Sequence, residues 1–158
     1  GRLYDMEFIG FRYFNVFGPR QSPEGAYAAV LPLFADACMN DKEVFINGDG
    51  GQTRDFTFIE NVVQINIKAM LTTNSAALNQ VYNVGCGGRY TVLDLFDGIK
   101  EAAGVPNKKP VHRAARAGDI RDSQANISKA QDLLNYDPQF DFQKGLEITV
   151  DYFKTLDA

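Results

Sequence analysis

Three short apolar runs of this chain each end in a turn that contains glycine. Aromatic and β-branched residues dominate the runs, which favours strands, and the longest of them is predicted to be buried. Apolar residues between the runs have helical spacing. The pattern predicts a small α/β assembly with loops along one edge. The runs and their turns are 8–16 before Gly18-Pro19, 44–46 before NGDGG at 47–51, and 81–84 before GCGG at 85–88.

Two more strands are predicted at 55–58 and 109–113. Helices are predicted over 30–40, 59–71, 92–103 and 128–134, followed by a last helix. Two predicted helices begin with a capping box, Thr91 with Asp94 and Ser128 with Gln131, and Gly104 is predicted to end the third. Apolar residues that should share one helix face are Ile59, Val62, Val63 and Met70 in the second helix, Val92, Leu95, Phe96, Ile99 and Ala103 in the third, and Leu146, Val150, Phe153 and Leu156 in the last.

Composition excludes several classes of function. The net charge is −4, which argues against the broad basic face of a nucleic-acid-binding protein. No run of about 18 apolar residues is present, so no membrane span is expected. His112 is the only histidine, and His/Cys metal spacing is absent, so no metal site is expected. The two cysteines, Cys38 and Cys86, are expected to be unpaired and buried as small apolar groups.

Two pairs of charged residues beside turns are the best candidates for ligand binding. Arg54 follows the glycine-rich loop at 47–51, and Arg116 precedes Asp119 by three residues around Gly118. An arginine fork suits a phosphate, and an aspartate can accept two hydrogen bonds from a ribose diol. From the residues alone, Arg54 could equally form a surface ion pair with Asp55 or Asp49, and 116–119 could be a solvated loop.

The chain offers no acid, base or nucleophile that forms a recognisable catalytic motif. None of its seven tyrosines has a lysine four residues later, and no glycine-rich phosphate loop lies between a strand and a helix. His112 is expected to be an ordinary strand-end residue. Asn15, at the end of an apolar run, must be satisfied either by a ligand or by the adjacent turn.

Five segments together resemble the nucleotide-sugar epimerase/dehydratase branch of the extended short-chain dehydrogenase/reductase family. They occur in the family's order and cover nearly the whole chain. Within the family, they most resemble the UDP-N-acetylglucosamine 4-epimerases of surface polysaccharide synthesis. The segments are FRYFNVFGPRQ (11–21), GAYAAVLPLF (25–34), VFINGDGGQTRDFTFIENVV (44–63), VYNVGCGGRYTVLDL (81–95) and RAGDIRDSQANISKAQDLL (116–134).

The resemblance implies that residues 1–24 are a remnant of an NAD-binding Rossmann domain with its connecting loop. Residues 25–158 would be the UDP-sugar-binding domain, with some segments returning to the Rossmann domain. The catalytic Tyr-x-x-x-Lys pair and most of the NAD site would lie in an N-terminal part outside this chain. The chain alone is therefore expected to be inactive, whereas the full-length protein is expected to be a cytoplasmic homodimer.

The resemblance also implies roles for individual residues. Tyr13 and Phe14 would lie near the nicotinamide, and Asn15 would touch the diphosphate or sugar. Ser123 would leave room for an N-acetyl group, because a bulky tyrosine stands there in relatives restricted to non-acetylated hexoses. The remaining implied substrate contacts are Ala29, Val30 and Phe34 around the uracil, Phe45 and Asn47 on its ring and edge, Arg54 and Arg116 on the diphosphate, and Asp119 on the ribose.

The expected activity is 4-epimerisation of UDP-GlcNAc and UDP-GalNAc. Within the same family, a uronate 4-epimerase, a UDP-glucose 4-epimerase or a sugar-nucleotide 4,6-dehydratase remain alternatives. A free-standing, non-catalytic sugar-nucleotide-binding module is a further alternative of a different class.

Overall fold

The computed structural model describes residues 3–24 and 29–156. These residues form a mixed α/β structure, as the sequence predicts. The predicted domain boundary at residue 25 and the first four residues of segment 25–34 lie outside the described ranges. The helices are α1 (Val30–Met39), α2 (Ile59–Met70), α3 (Val92–Ala103), α4 (Ser128–Leu134) and α5 (Phe142–Lys154), with a 3₁₀ turn at Ser75–Ala77. The strands are β1 (Ile9–Tyr13), β2 (Val16–Phe17), β3 (Phe45–Asn47), β4 (Thr53–Arg54), β5 (Thr57–Phe58), β6 (Gln80–Val84), β7 (Tyr90–Thr91) and β8 (Val111–Arg113).

The strands pair in twos, and within the described ranges no sheet is wider than two strands. β1 pairs with β6, β2 with β5 and β3 with β8, all in parallel, whereas β4 and β7 are antiparallel. β3 and β8 are far apart in sequence, but their parallel pairing places their carboxyl ends side by side, with Asn47 opposite Arg113. This pairing joins the glycine-rich loop after β3 to the arginine-rich segment after β8.

Two hydrophobic clusters support the fold. The larger one packs α1, α3 and α5 around β3 and β5, with Leu95, Ile99 and Leu146 fully buried. The smaller one packs α2 and α4 against β6, and its centre is Tyr82, whose hydroxyl donates to the carbonyl of Ala77. None of the described helices is both long and apolar enough to cross a bilayer.

The predicted strand 8–16 is wrong in two respects. Asn15 has a φ of 29°, which ends β1 and redirects the chain into β2, a separate strand pair. β1 is also only partly buried, because β6 is its one strand neighbour among the described residues, and Tyr13 remains 47% exposed. The predicted strand 55–58 is shorter than expected, since β5 covers only Thr57–Phe58, and a further short strand, β4, precedes it at Thr53–Arg54.

Of the two predicted capping boxes, the one at α3 is confirmed and the one at α4 is wrong. Thr91 and Asp94 form the predicted capping box of α3, which ends at Gly104 in the left-handed conformation. Ser128 does not cap α4; it is the first helical residue, and its amide donates to the Oδ1 of Asn126. The amide of Gln131 donates to the carbonyl of Ile127, so the predicted capping box of α4 is wrong.

Three residues predicted on buried helix faces are exposed instead. Val63 and Met70 of α2 are exposed to solvent. The buried residues of that helix are Asn61, Val62 and Ile65. Leu156 lies beyond the end of α5 and is also exposed. The other predicted core residues of α3 and α5 are buried, Ala103 only partly.

Candidate functional site

A cleft of about 200 Å³ lies where α1, β3, β4 and the segment after β8 meet. Eight of the residues that sequence reasoning assigned to the substrate line it. Buried side chains of Ile46, Phe56 and Val92 add an apolar floor. The predicted residues that line the cleft are Asn15, Val30, Phe34, Phe45, Asn47, Arg54, Arg116 and Asp119.

Two hydrogen bonds hold Arg54 in the cleft. Its Nη1 donates to the carbonyl oxygen of Thr53 at 2.8 Å, and its Nη2 donates to the Oδ1 of Asp119 at 2.5 Å. Only 17% of its side chain is exposed, against 34% for Asp119. The Arg54 partner is thus neither Asp55 nor Asp49, the two carboxylates suggested by sequence proximity.

A tight turn presents Arg116 and Asp119 to the same cleft. The amide of Asp119 donates to the carbonyl of Arg116, and Gly118 between them has a φ of 78°. A residue with a side chain rarely adopts this conformation, which explains the glycine. The turn fixes the spacing between a cation and a carboxylate that face one cavity.

Phe45, which lines the cleft, contacts a guanidinium group of the paired strand β8. The guanidinium of Arg113 lies 3.2 Å from the centre of the Phe45 ring, a cation–π contact. Next to it, Gln52 donates through its Nε2 to the carbonyl of Asn47 at 3.2 Å. Sequence reasoning assigned no role to Arg113 or Gln52.

Asp55 anchors the segments that form the cleft. It is fully buried and accepts hydrogen bonds from the backbone amides of Cys86, Gly87 and Ala125. Burial raises the pKa of the Asp55 carboxyl, and the amide donors oppose that rise. Arg54 thus lines the cleft while the next residue ties the loop after β6 and the segment before α4 to the core.

The other charged pairs at this end of the molecule lie outside the cleft. Asp49 pairs with Arg121 at 2.7 Å, and this contact lowers the pKa of Asp49 to about 2. Asp122 accepts from Arg89 and from the hydroxyl of Thr53. These pairs are exposed, so each contributes little to stability, but the Thr53 contact joins the 119–125 segment to β4.

Comparison with known proteins identifies the family. The model of the NAD dependent epimerase/dehydratase family matches residues 1–85. The chain belongs to this family.

Relatives of this epimerase/dehydratase-family chain include several nucleotide-sugar enzymes. The UDP-glucose 4-epimerase of Mycolicibacterium smegmatis is 34% identical over 96% of the chain and 47% of its own length. The crystal structure of the Thermotoga maritima UDP-glucose 4-epimerase with UDP-glucose has a TM-score of 0.92 at 37% identity, covering 99% of this chain and 49% of that one. The UDP-N-acetylglucosamine 4-epimerase of Methanobrevibacter ruminantium, in complex with UDP-N-acetylmuramic acid, has a TM-score of 0.88 at 35% identity, covering 98% and 48%. The chain therefore spans about half the length of these relatives.

Four predicted site residues of this epimerase/dehydratase-family chain do not line the cleft. Tyr13 lies in a separate open groove, where its hydroxyl and the side chain of Asn66 are hydrogen bonded, and the Phe14 amide donates to Val84. Ala29 directly precedes the lining residue Val30. Ser123 is half-buried, and its amide donates to the carbonyl of Thr53.

Proposed function

We propose that this chain supplies the nucleotide-sugar cleft of an NAD-dependent UDP-hexose 4-epimerase. The observation that supports this most directly is the convergence of Arg54 and Arg116 on one cavity. The two arginines are sixty-two residues apart in sequence. In a chain of net negative charge, their guanidinium groups would together bind one diphosphate.

The proposed orientation of the nucleotide follows from the polarity of the cleft. The apolar side chains of Val30 and Phe34, together with Phe45, suit the faces of a uracil ring. Asn47 offers an amide that can pair with the polar edge of the base. The diphosphate would then lie at Arg54 and Arg116, with the ribose beside Asp119.

The residues of the cleft would hold the nucleotide while the sugar turns. In the proposed reaction the C4 hydroxyl loses a proton to a base that lies outside this chain, and NAD, when bound, supplies the acceptor for the C4 hydride. The 4-keto sugar must rotate about the diphosphate before hydride returns to its opposite face. Firm contacts on the diphosphate with small residues near the sugar, such as Ser123, are what this rotation needs.

The described residues fit only one end of an NAD molecule. Tyr13 presents a half-exposed aromatic ring at the end of β1, and Phe14 follows it. These two side chains would contact the nicotinamide region. The remainder of the NAD site, and the catalytic tyrosine and lysine, are proposed to belong to the intact protein outside this chain, so the chain alone is expected to be inactive.

The substrate that we propose is UDP-N-acetylglucosamine, in exchange with UDP-N-acetylgalactosamine. The similarity to the Methanobrevibacter ruminantium enzyme and the small side chain at Ser123 support this choice. UDP-glucose is the second candidate, because the Thermotoga maritima and Mycolicibacterium smegmatis relatives are UDP-glucose 4-epimerases.

The proposal is tested by substituting Arg116 in the intact protein. Arg116→Ala removes one charged partner of the diphosphate, so the KM for UDP-N-acetylglucosamine and the Kd for UDP should rise about tenfold or more. Arg121→Ala is the matched control, because Arg121 lies in the same segment but pairs with Asp49 outside the cleft. Equal effects of the two substitutions on UDP binding, measured by calorimetry, contradict the proposed site.

A further inference from the structure

The half-buried ring of Phe45 lines the cleft and carries a guanidinium group on one face. The central carbon of that group, Cζ of Arg113, lies 3.2 Å from the centre of the ring, so the group lies over the ring rather than at its edge. Arg113 itself does not line the cavity. Its guanidinium therefore covers the ring from outside the cleft.

The pairing of β3 with β8 brings this arginine to the ring. Arg113 lies opposite Asn47, and Phe45 is two residues earlier on the same strand. Residues two apart in a strand share a face, so the long Arg113 side chain can reach back to the ring. The Gly48 amide donates to the carbonyl of Arg113 at 2.9 Å, which holds the end of β8 against the end of β3.

The ring is the partner of the Arg113 charge. In the part of the chain that the structure describes, no carboxylate lies within ion-pair distance of Arg113. Three other arginines at this end of the molecule each pair with an aspartate. These pairs are Arg54–Asp119, Arg89–Asp122 and Arg121–Asp49. Because the negative face of an aromatic ring attracts a cation, the contact restrains the ring as well as the guanidinium.

We propose that Arg113 is a positioning residue that holds the Phe45 ring in place for the base of the nucleotide. This inference rests on the proposed function and deepens it, because that function places a uracil against Phe45. A base stacks more tightly on a ring whose orientation is fixed before the base arrives. Arg113 thus acts through Phe45 and does not touch the ligand.

An arginine near the cleft could instead act on the diphosphate through its charge. Such an attraction extends to every anion that binds in the cleft, whether or not the anion carries a base. The position of the Phe45 ring, by contrast, affects only a ligand that has a base to stack on it. The two roles therefore give different results with UDP and with pyrophosphate.

Calorimetry on the intact protein measures the binding of UDP and of pyrophosphate with and without Arg113→Ala. We expect the variant to bind UDP about threefold more weakly and pyrophosphate with unchanged affinity. Arg113 is exposed, so the variant should fold normally. Equal weakening of UDP and pyrophosphate overturns the inference, and so does unchanged binding of UDP.

Arg121→Ala is the matched control for this comparison. Arg121 also follows β8, but it pairs with Asp49 outside the cleft. Its removal should leave the ratio of the two affinities unchanged. A selective loss of UDP binding in Arg121→Ala, equal to that in Arg113→Ala, would count against a specific role of Arg113.

A double-mutant cycle tests whether Arg113 acts through the ring. Phe45→Leu removes the stacking surface and should weaken UDP binding about tenfold. Adding Arg113→Ala to Phe45→Leu should cause no further loss, because no ring remains to be positioned. A threefold loss in both backgrounds shows that Arg113 acts independently of Phe45 and overturns the inference. Failure of the unaltered protein to bind UDP at all refutes the proposed function instead.

Discussion

At the scale of single residues, the buried carboxyl of Asp55 affects the acidity of the neighbouring Cys86 thiol. Burial, and then the nearby Asp55 carboxyl, raise the pKa of the Cys86 thiol to about 11. Burial also raises the pKa of Cys38, and neither cysteine forms a disulfide. At pH 8 the thiolate fraction of Cys86 should be about two orders of magnitude below that of an ordinary cysteine.

We therefore expect the folded chain to resist iodoacetamide at pH 8 at both cysteines. Modification in urea should be complete at both positions, because unfolding removes the burial that raises each pKa. Mass spectrometry of the modified peptides measures the outcome. Rapid alkylation of Cys86 in the folded protein at pH 8 would show that its thiol is not shielded as described.

Position 123 tests the proposed choice of substrate. Ser123→Tyr in the intact protein should lower kcat/KM for UDP-N-acetylglucosamine by at least about tenfold more than for UDP-glucose, because the larger ring would fill the space proposed for the acetyl group. Steady-state kinetics with both substrates measure the ratio. Similar losses on both substrates are incompatible with a role for Ser123 in accepting the acetyl group.

The residue types of the cleft could be predicted from the sequence, but their pairing could not. A guanidinium group near a phosphate follows from the resemblance, and eight of the predicted residues do line one cavity. That Asp119 rather than Asp49 or Asp55 pairs with Arg54 depends on a turn 65 residues away. The stacking of Arg113 on Phe45 likewise depends on the register between β3 and β8.

At the scale of elements, α5 docks on β5 through a glycine. A Cβ added to Gly145 would lie 2.8 Å from the Cβ and Cγ atoms of Phe58, whose ring is buried. Glycine to alanine in a helix usually stabilises a protein by up to about 1 kcal/mol. Here the clash should reverse the sign, and Gly145→Ala should lower the free energy of unfolding by about 1–3 kcal/mol.

Gly98 on α3 provides a comparison for this substitution. A Cβ added there meets only the Cδ2 methyl of Leu146 at 3.0 Å, and its next neighbour is 3.7 Å away. Gly98→Ala should therefore cost less than Gly145→Ala in urea unfolding followed by circular dichroism. The opposite order would mean that α5 can shift away from Phe58 at little cost.

Local signals predicted helices better than strands. The α3 boundaries follow from a capping box and a terminal glycine that act within the helix itself. The strands are short and pair with distant partners, so their ends depend on tertiary contacts. Asn15 illustrates this, because an asparagine can adopt a positive φ but does not have to, and its conformation splits one predicted strand into two.

At the scale of the whole molecule, one side of β1 and α2 exposes large apolar side chains. On α2, Met70 is 83% exposed and Ile67 is half exposed. Phe8, directly before β1, and Tyr13, at the end of β1, are exposed as well. A groove of about 640 Å³ lies between these elements. Large exposed apolar surface marks an interface, and we predict that this face meets the NAD-binding domain of the intact protein.

The apolar face should make the 158-residue chain self-associate when it is produced alone. Replacing Ile67 and Met70 with lysine should shift the sedimentation distribution towards monomer without changing the midpoint of thermal unfolding by more than a few degrees, because both side chains are exposed. Leu156→Lys serves as the control, since Leu156 is equally apolar but lies after α5. No change in association with the double variant would show that this face does not self-associate.

The dipeptide Arg54-Asp55 joins the cleft to the interior through adjacent side chains, one lining the cavity and the next binding three buried amides. Because neighbouring residues in an extended chain point to opposite sides, inserting or deleting one residue here would exchange the two roles. In a library of random insertions and deletions, the turn at 47–51 should therefore tolerate changes in length that the segment 53–58 does not.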